Sequence, residues 1–252
     1  MSPRTHLRAL LALAALIVAP SGAAAQSPRW ALDVENGAVF TWYNDVRIPG
    51  DSGTLFSFNK DLTSDTEYFW RVRLDVRLGR KHVLSGLAAP LSIDASGTFD
   101  TPVSFAGQTF APGVPITGRY VFNSYRFTYR YEFLDKAGWR FGLGVTAKVR
   151  DAVISLKTTS QYAEKPNLGA VPLVNFKLER DLGKKAIFVL EGDALAAPQG
   201  RAEDLFAGLL IPLNKHFTIK AGYRMLEGGA DNDEVYTFSG FHYAAFGAIV
   251  RF

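Results

Sequence analysis

The closing stretch Tyr243-Ala-Ala-Phe-Gly-Ala-Ile-Val-Arg-Phe252 decides the fold. In an extended chain, successive side chains point to opposite sides. Phe246, Ala248, Val250 and Phe252 therefore share one face, and Gly247, Ile249 and Arg251 share the other. An apolar stripe at period two, ending on an aromatic ring, suits a strand with hydrocarbon on one side and a packed or wet interior on the other.

The same period recurs through the chain. Tyr68, Trp70, Val72, Leu74, Val76 and Leu78 alternate with Glu67, Phe69, Arg71, Arg73, Asp75 and Arg77. Val121, Tyr125, Phe127, Tyr129, Tyr131 and Phe133 oppose Phe122, Ser124, Arg126, Thr128, Arg130 and Glu132. A tilted strand needs about 9–11 residues to cross a bilayer, and most of these segments reach that length. Strands are expected over 30–43, 67–78, 83–94, 121–133, 139–156, 170–180, 186–196, 204–213, 217–226 and 236–252. That makes about ten, with eight or twelve as alternatives. Short turns at 79–81, 135–138, 181–185 and 214–216 alternate with longer polar connections at 44–65, 95–116, 157–169, 197–203 and 227–235. Within the longest, Val103-Ser-Phe and Thr109-Phe flank Ala106-Gly107-Gln108 as a small hairpin, and Pro90 marks an irregularity in the third strand. The pattern predicts an all-β fold, an antiparallel transmembrane β-barrel formed by residues 26–252.

Residues 1–25 read differently. Arg4, His6 and Arg8 precede an apolar run from Ala9 to Ala19, then Pro20-Ser-Gly and Ala23-Ala-Ala. A charged start, a short apolar run and small residues before Gln26 make a cleavable secretory signal peptide. The run is too short to span a bilayer as a helix. Two of the 28 basic residues leave with it, so the formal charge against 24 acidic residues falls from +4 to +2. So small an imbalance gives no basic patch and argues against a nucleic-acid partner. The chain has no cysteine, which excludes disulfides, thiolate metal sites and a cysteine nucleophile.

The C-terminal stripe, with Phe246, Val250 and Phe252, resembles the insertion signal of bacterial outer-membrane β-barrels. The resemblance covers the final strand specifically and singles out no subfamily. It implies a bacterial outer-membrane location, with termini and short turns periplasmic and long loops extracellular. It also implies outer-membrane lipid, lipopolysaccharide and the barrel-assembly machinery as partners of a monomer.

Parity then fills the interior with charge. Arg71, Arg73, Arg77, Arg126, Arg130, Arg140, Lys148, Arg150, Lys177, Lys220 and Arg224 share inward rows with Glu67, Asp75, Glu132, Glu179, Glu191, Asp193, Asp204 and Glu227. Unpaired buried charge is strongly disfavoured. The sets Arg71/Arg73/Asp75/Arg77, Arg126/Arg130/Glu132 and Glu191/Asp193, with Arg224, are therefore expected to form a lumen network in a largely filled barrel. The role this favours is non-enzymatic, envelope-structural or surface-binding. One alternative is a narrow, anion-preferring polar channel. The other is an outer-leaflet hydrolase or acyltransferase, similar to lipid A deacylases, with Ser239 and His242 as the candidate nucleophile and base. Those two residues are three apart and fall on opposite faces of a regular strand, against that chemistry. Asp231-Asn-Asp-Glu234 lacks the rest of a calcium loop. No metal and no cofactor is expected.

Overall fold

The structure is a computed structural model that describes residues 29–198 and 200–252. The proposed signal peptide lies outside the described residues.

The chain forms β1 (Trp30–Arg47), β2 (Phe56–Ser57), β3 (Leu62–Ser64), β4 (Glu67–Leu78), β5 (His82–Ala89) and β6 (Ser92–Gly97). Then follow β7 (Val103–Phe105), β8 (Gln108–Phe110), β9 (Ile116–Lys136), β10 (Trp139–Lys157) and β11 (Tyr162–Leu182). Last come β12 (Ala186–Ala197), β13 (Gly200–Pro212), β14 (Phe217–Asp231) and β15 (Tyr236–Arg251). Antiparallel neighbours run β1-β4-β5-β9-β10-β11-β12-β13-β14-β15, and β15 returns to β1. The result is a closed ten-strand barrel. Closure leaves no bare edge along the seam, where Leu32 pairs with Val250 and Phe40 with His242. β5 and β6 act as one wall strand, because both pair with β9. Pro90, between them, has no N–H to donate and interrupts the ladder; Leu91 restores it by accepting from the Phe122 N–H at 2.8 Å.

The termini and four short turns lie at one end, here the turn end. Lys136 and Trp139 are joined by Ala137 and Gly138 at φ 53° and 77°, the twist a two-residue hairpin requires. The opposite, loop end differs from the sequence reading. Segment 157–169 was expected as a polar loop, yet β11 starts at Tyr162 and pairs Glu164 with Ser155 and Lys165 with Ile154. Likewise β13 begins at Gly200 and β14 runs to Asp231. Their polarity reflects water around strand ends that stand beyond the bilayer, since ladder bonds do not require apolar side chains.

Segments 44–65 and 95–116 also do more than connect. Phe56, Phe58, Phe99, Phe105 and Phe110 are buried together, with Phe56 5.3 Å from Phe99 and 5.8 Å from Phe105. This aromatic cluster, with the β7–β8 hairpin, forms a lid packed against the inner wall. Gly118 on β9 admits it, because a Cβ there would lie 2.6 Å from a Phe58 ring carbon.

Outside, the wall is apolar. Phe127 (59 %), Val145 (64 %) and Phe246 (57 %) are exposed, as are Trp30, Trp42, Trp70, Tyr125, Tyr129, Trp139 and Phe252. Exposed apolar surface on this scale does not suit water and fits lipid. Phe141 alternates with exposed Trp139 and Leu143 on the outward row of β10 but is itself only half-exposed. A bulge there sets Phe141 opposite Leu134 and Gly142 opposite Glu132, and packs Phe141 edge-on to Phe133 at 5.2 Å.

Candidate functional site

The barrel interior has three storeys: a cavity at the turn end, an ion-paired waist and a cavity at the loop end. Each is built by the inward rows of the strands.

The waist centres on Arg224 of β14. Its guanidinium takes Glu35 of β1 in a fork, Nε to Oε1 at 2.6 Å and Nη2 to Oε2 at 2.8 Å. Its Nη1 donates to Asp204. Arg71 reaches across the lumen from β4 to Asp204 Oδ2 at 2.9 Å. Arg73 reaches Glu191 at 3.0 Å. Lys220 Nζ lies 3.0 Å from Asp33, 2.8 Å from Glu35 and 3.2 Å from Glu191. Arg126 donates to Asp193 at 2.7 Å; its Nη2 lies 2.6 Å from Asp204 Oδ2 as an ionic contact without hydrogen-bond geometry. Thr146 and Asn175 complete Asp193 by donating to Oδ1 at 2.6 and 2.8 Å. Phe206 fills the remaining space beneath the Lys220 and Arg224 cations, 4.4 and 5.1 Å from its centroid. Its ring lies over Gly208 and Gly222, where a Cβ would come within 2.6 and 2.8 Å. Five cations (Arg71, Arg73, Arg126, Lys220, Arg224) thus meet five carboxylates (Asp33, Glu35, Glu191, Asp193, Asp204). Low-dielectric ion pairs are tolerable only when each charge meets an opposite one, and each does here, although Asp33 Oδ1 is buried without a hydrogen bond.

Other sequence-predicted residues separate from the waist. Arg77 and Arg130 meet Glu132 at 2.6 and 3.3 Å nearer the turn end. Asp75, expected in the lumen network, makes no ion pair among the described residues, and its Oδ1 is buried without a partner. Arg71 and Arg73 instead take their hydrogen-bonded partners from the far wall, and Arg71 also lies 3.9 Å from Glu35 on the adjacent strand. Glu227 follows inward-facing Leu226 and so takes the opposite side of β14, held by Arg201 at 2.6 Å and by the Tyr43 hydroxyl. It stands apart from the waist and contributes to the lining of the loop-end cavity. Glu35 and Asp33 were missing from the expected charge set. Their alternation with Leu32 and Val34 was the signal that placed them inward.

Ser239 and His242 diverge. Ser239 is buried inside and lies 3.2 Å from the Tyr120 hydroxyl. His242 faces out, stacked on Trp42 at 5.2 Å and bonded to the Tyr223 hydroxyl. Ser239 and His242 therefore do not form a nucleophile–base pair. Phe246 and Phe252 face out on the closing strand with half-buried Val250 between them. Phe252 exchanges both backbone hydrogen bonds with Trp30, at 2.9 and 3.0 Å.

The turn-end cavity, about 490 Å³, is lined by charged groups including Asp33, Arg77, Arg130, Glu132 and Arg140. The loop-end cavity, about 420 Å³, is mainly apolar: Tyr120, Phe122, Ala152, Ile154, Leu226 and Phe241 line it beneath the lid residue Ile48. Lys148 and Arg150 of β10 enter this cavity's lining. The two cavities share no lining residue.

The wall beside the loop-end cavity is notched. β11 keeps its ladder to β10 throughout, from Tyr162↔Lys157 to Arg180↔Trp139. Its ladder to β12 stops at Val174↔Ala194. Residues 162–173 have no strand partner on that side among the described residues. Pro166 and Pro172 fall in this stretch, and proline is confined to such edges because it cannot donate. The gap begins at the level of Val145 and Tyr129, both exposed in the apolar band. It passes Leu168, which is level with Asp151, where Asn123 donates to Asp151 at 3.2 Å on the outer face. Outward-facing Ala170 and Pro172 line the same cavity as inward-facing Phe122 and Phe241. The cavity therefore passes sideways through the wall.

A closed antiparallel barrel with an apolar belt and a charged interior is the architecture of a transmembrane β-barrel. Comparison with one solved structure agrees, and two further alignments are looser. The outer membrane protease OmpT from Escherichia coli aligns with TM-score 0.53 at 8% identity, covering 92% of this chain and 99% of that one. The attachment invasion locus protein Ail of Yersinia pestis aligns with TM-score 0.37 at 12% identity, over 89% and 99%. The Pseudomonas putida toluene transporter TodX aligns with TM-score 0.36 at 9% identity, over 89% and 90%. No family model and no curated protein sequence matches the chain. The fold is that of the bacterial outer-membrane β-barrels, and no subfamily is identified.

Proposed function

We propose that this chain is a non-enzymatic, non-conducting outer-membrane barrel with a surface-binding role. The observation that carries this reading is the ion-paired waist between the two cavities. A hydrated ion crossing it would have to displace paired charges, and an unpaired buried charge is costly. Binding then falls to the loop end, which combines a lid, an apolar cavity and a side opening. In this reading the turn end faces the periplasm and the loop end faces outward. Lipid and lipopolysaccharide surround the belt, the monomer is the working unit, and the barrel-assembly machinery reads Phe246, Val250 and Phe252. Planar-bilayer recording of the purified protein tests the sealed waist. The expected record is silent, and steady porin-sized currents would overturn the reading in favour of a channel.

A further inference from the structure

The waist balances its own charges, but two cations above it remain unbalanced. Lys148 is 3 % exposed, and no carboxylate lies within 4.0 Å of it among the described residues. Its ammonium rests over the Phe122 ring at 4.7 Å. Arg150, two residues on and on the same face, donates to Asn167 and also has no acidic partner among the described residues. Its Nε is buried without an acceptor. A buried cation without an anion is strongly disfavoured, yet both line one cavity with Phe122, Ile154, Leu226 and Phe241; the one carboxylate in its lining, Glu227, is already held by Arg201. Lys148 sits lower, level with Arg126, and Arg150 sits above it, level with Ser124. The positive groups thus stand on one wall of an apolar chamber that opens into the lipid-facing notch of β11.

We propose that the loop-end cavity binds a single-chain amphiphile with a carboxylate head. The carboxylate sits between Lys148 and Arg150, and the hydrocarbon tail leaves through the notch between β11 and β12. Three observations select this occupant. The paired positive groups call for an anion. The apolar lining and the volume of about 420 Å³ suit a slender hydrocarbon chain better than a bulky polar ligand. The lower end of the notch, residues 170–173, lies at the height of the apolar band, so a lipid-dissolved molecule can reach the cavity sideways without passing the lid. This inference deepens the surface-binding reading, but it does not depend on the waist being sealed. A silent barrel can fail to bind the carboxylate, and a binding barrel can be found to conduct.

The test uses the whole protein in lipid nanodiscs, titrated with cis-parinaric acid, a fluorescent long-chain carboxylate, and with its methyl ester. Lys148→Met keeps the length of the side chain without its charge, and Lys148→Arg keeps the charge. The acid is expected to bind the parent and Lys148→Arg alike, and to lose about tenfold or more with Lys148→Met, the worth of a charge-assisted hydrogen bond. The ester should bind weakly and be indifferent to the change. Heat-modifiable migration on gels shows that each variant is folded. Equal loss of acid and ester, or no loss of either, would overturn the head-group assignment. A fatty acid with a terminal diazirine tests the path: adducts on 168–173 or 195–197 support it. Adducts confined to Ile48 and Val235 at the mouth would show that the tail points up instead.

Discussion

Arg224 shows how a single residue carries the interior. It is fully buried, forks onto Glu35 and also holds Asp204. Removing it leaves Glu35 with Lys220 and a longer contact of 3.9 Å to Arg71, and loosens Asp204. Arg224→Met should therefore destabilise the barrel by about 3–5 kcal/mol, the usual effect of stripping one partner from a buried ion pair. The urea midpoint of protein folded in detergent reads this, and adding Glu35→Gln should recover part of the loss. If the single variant unfolds at the parent midpoint, the network is ornamental. At the other extreme of exposure stands Phe252. Deleting it should lower the amount of heat-modifiable protein in the membrane more than it lowers folding in detergent. Normal membrane levels after the deletion would count against its role as an assembly signal. The inward rows of Arg71, Arg126 and Arg224 were legible because alternation alone fixes the side of a strand. Their partners were not, since period two says nothing about which far strand stands opposite. That is why Asp75 was expected in the network while Glu35 was left out.

At the scale of elements, strand centres were legible and strand ends were not. β4 has the bounds its alternation gave, Glu67–Leu78, because every residue in it sits between lipid and lumen. β11 runs from Tyr162, eight residues before the expected start. Above the bilayer both of its faces meet water or the cavity rim, and the apolar signal fades although the ladder continues. Of the lid, the hairpin over 103–110 was legible but the aromatic cluster was not: its apolar residues come from short segments that become a core only once folded together. The lid rests on Gly118, where a side chain would run into Phe58. Gly118→Val should overpack this contact at a cost of about 1–3 kcal/mol and loosen the lid without opening the barrel. Trypsin cleavage after exposed Lys60 should then quicken by about tenfold while heat-modifiable migration is unchanged. An unchanged cleavage rate would mean that the lid is held by its other contacts.

For the whole molecule, the waist stands between two cavities that share no lining residue. Arg71 and Arg126 span it from β4 and β9 to the β12–β13 wall. Replacing both with alanine removes the two long side chains that bridge the bore and leaves Asp193 and Asp204 underpaired. The double variant is expected to pass small, cation-favouring currents across a planar bilayer where the parent is silent; a double variant as silent as the parent would place the seal in Phe206 and the remaining pairs. The seam between β1 and β15 has a different bearing, on the order of events in time. Every other wall ladder joins segments close in the chain, whereas Ala31 must find Arg251. Contacts so distant in sequence are slow to form because the intervening chain must first be ordered. The seam should therefore be the last ladder to knit. Until it does, the protein is an open ribbon with two bare edges, vulnerable to pairing with its neighbours. A chain that stalls one hairpin short of its C-terminus would stay in that state, and quality control at the membrane would have to recognise it as unfinished.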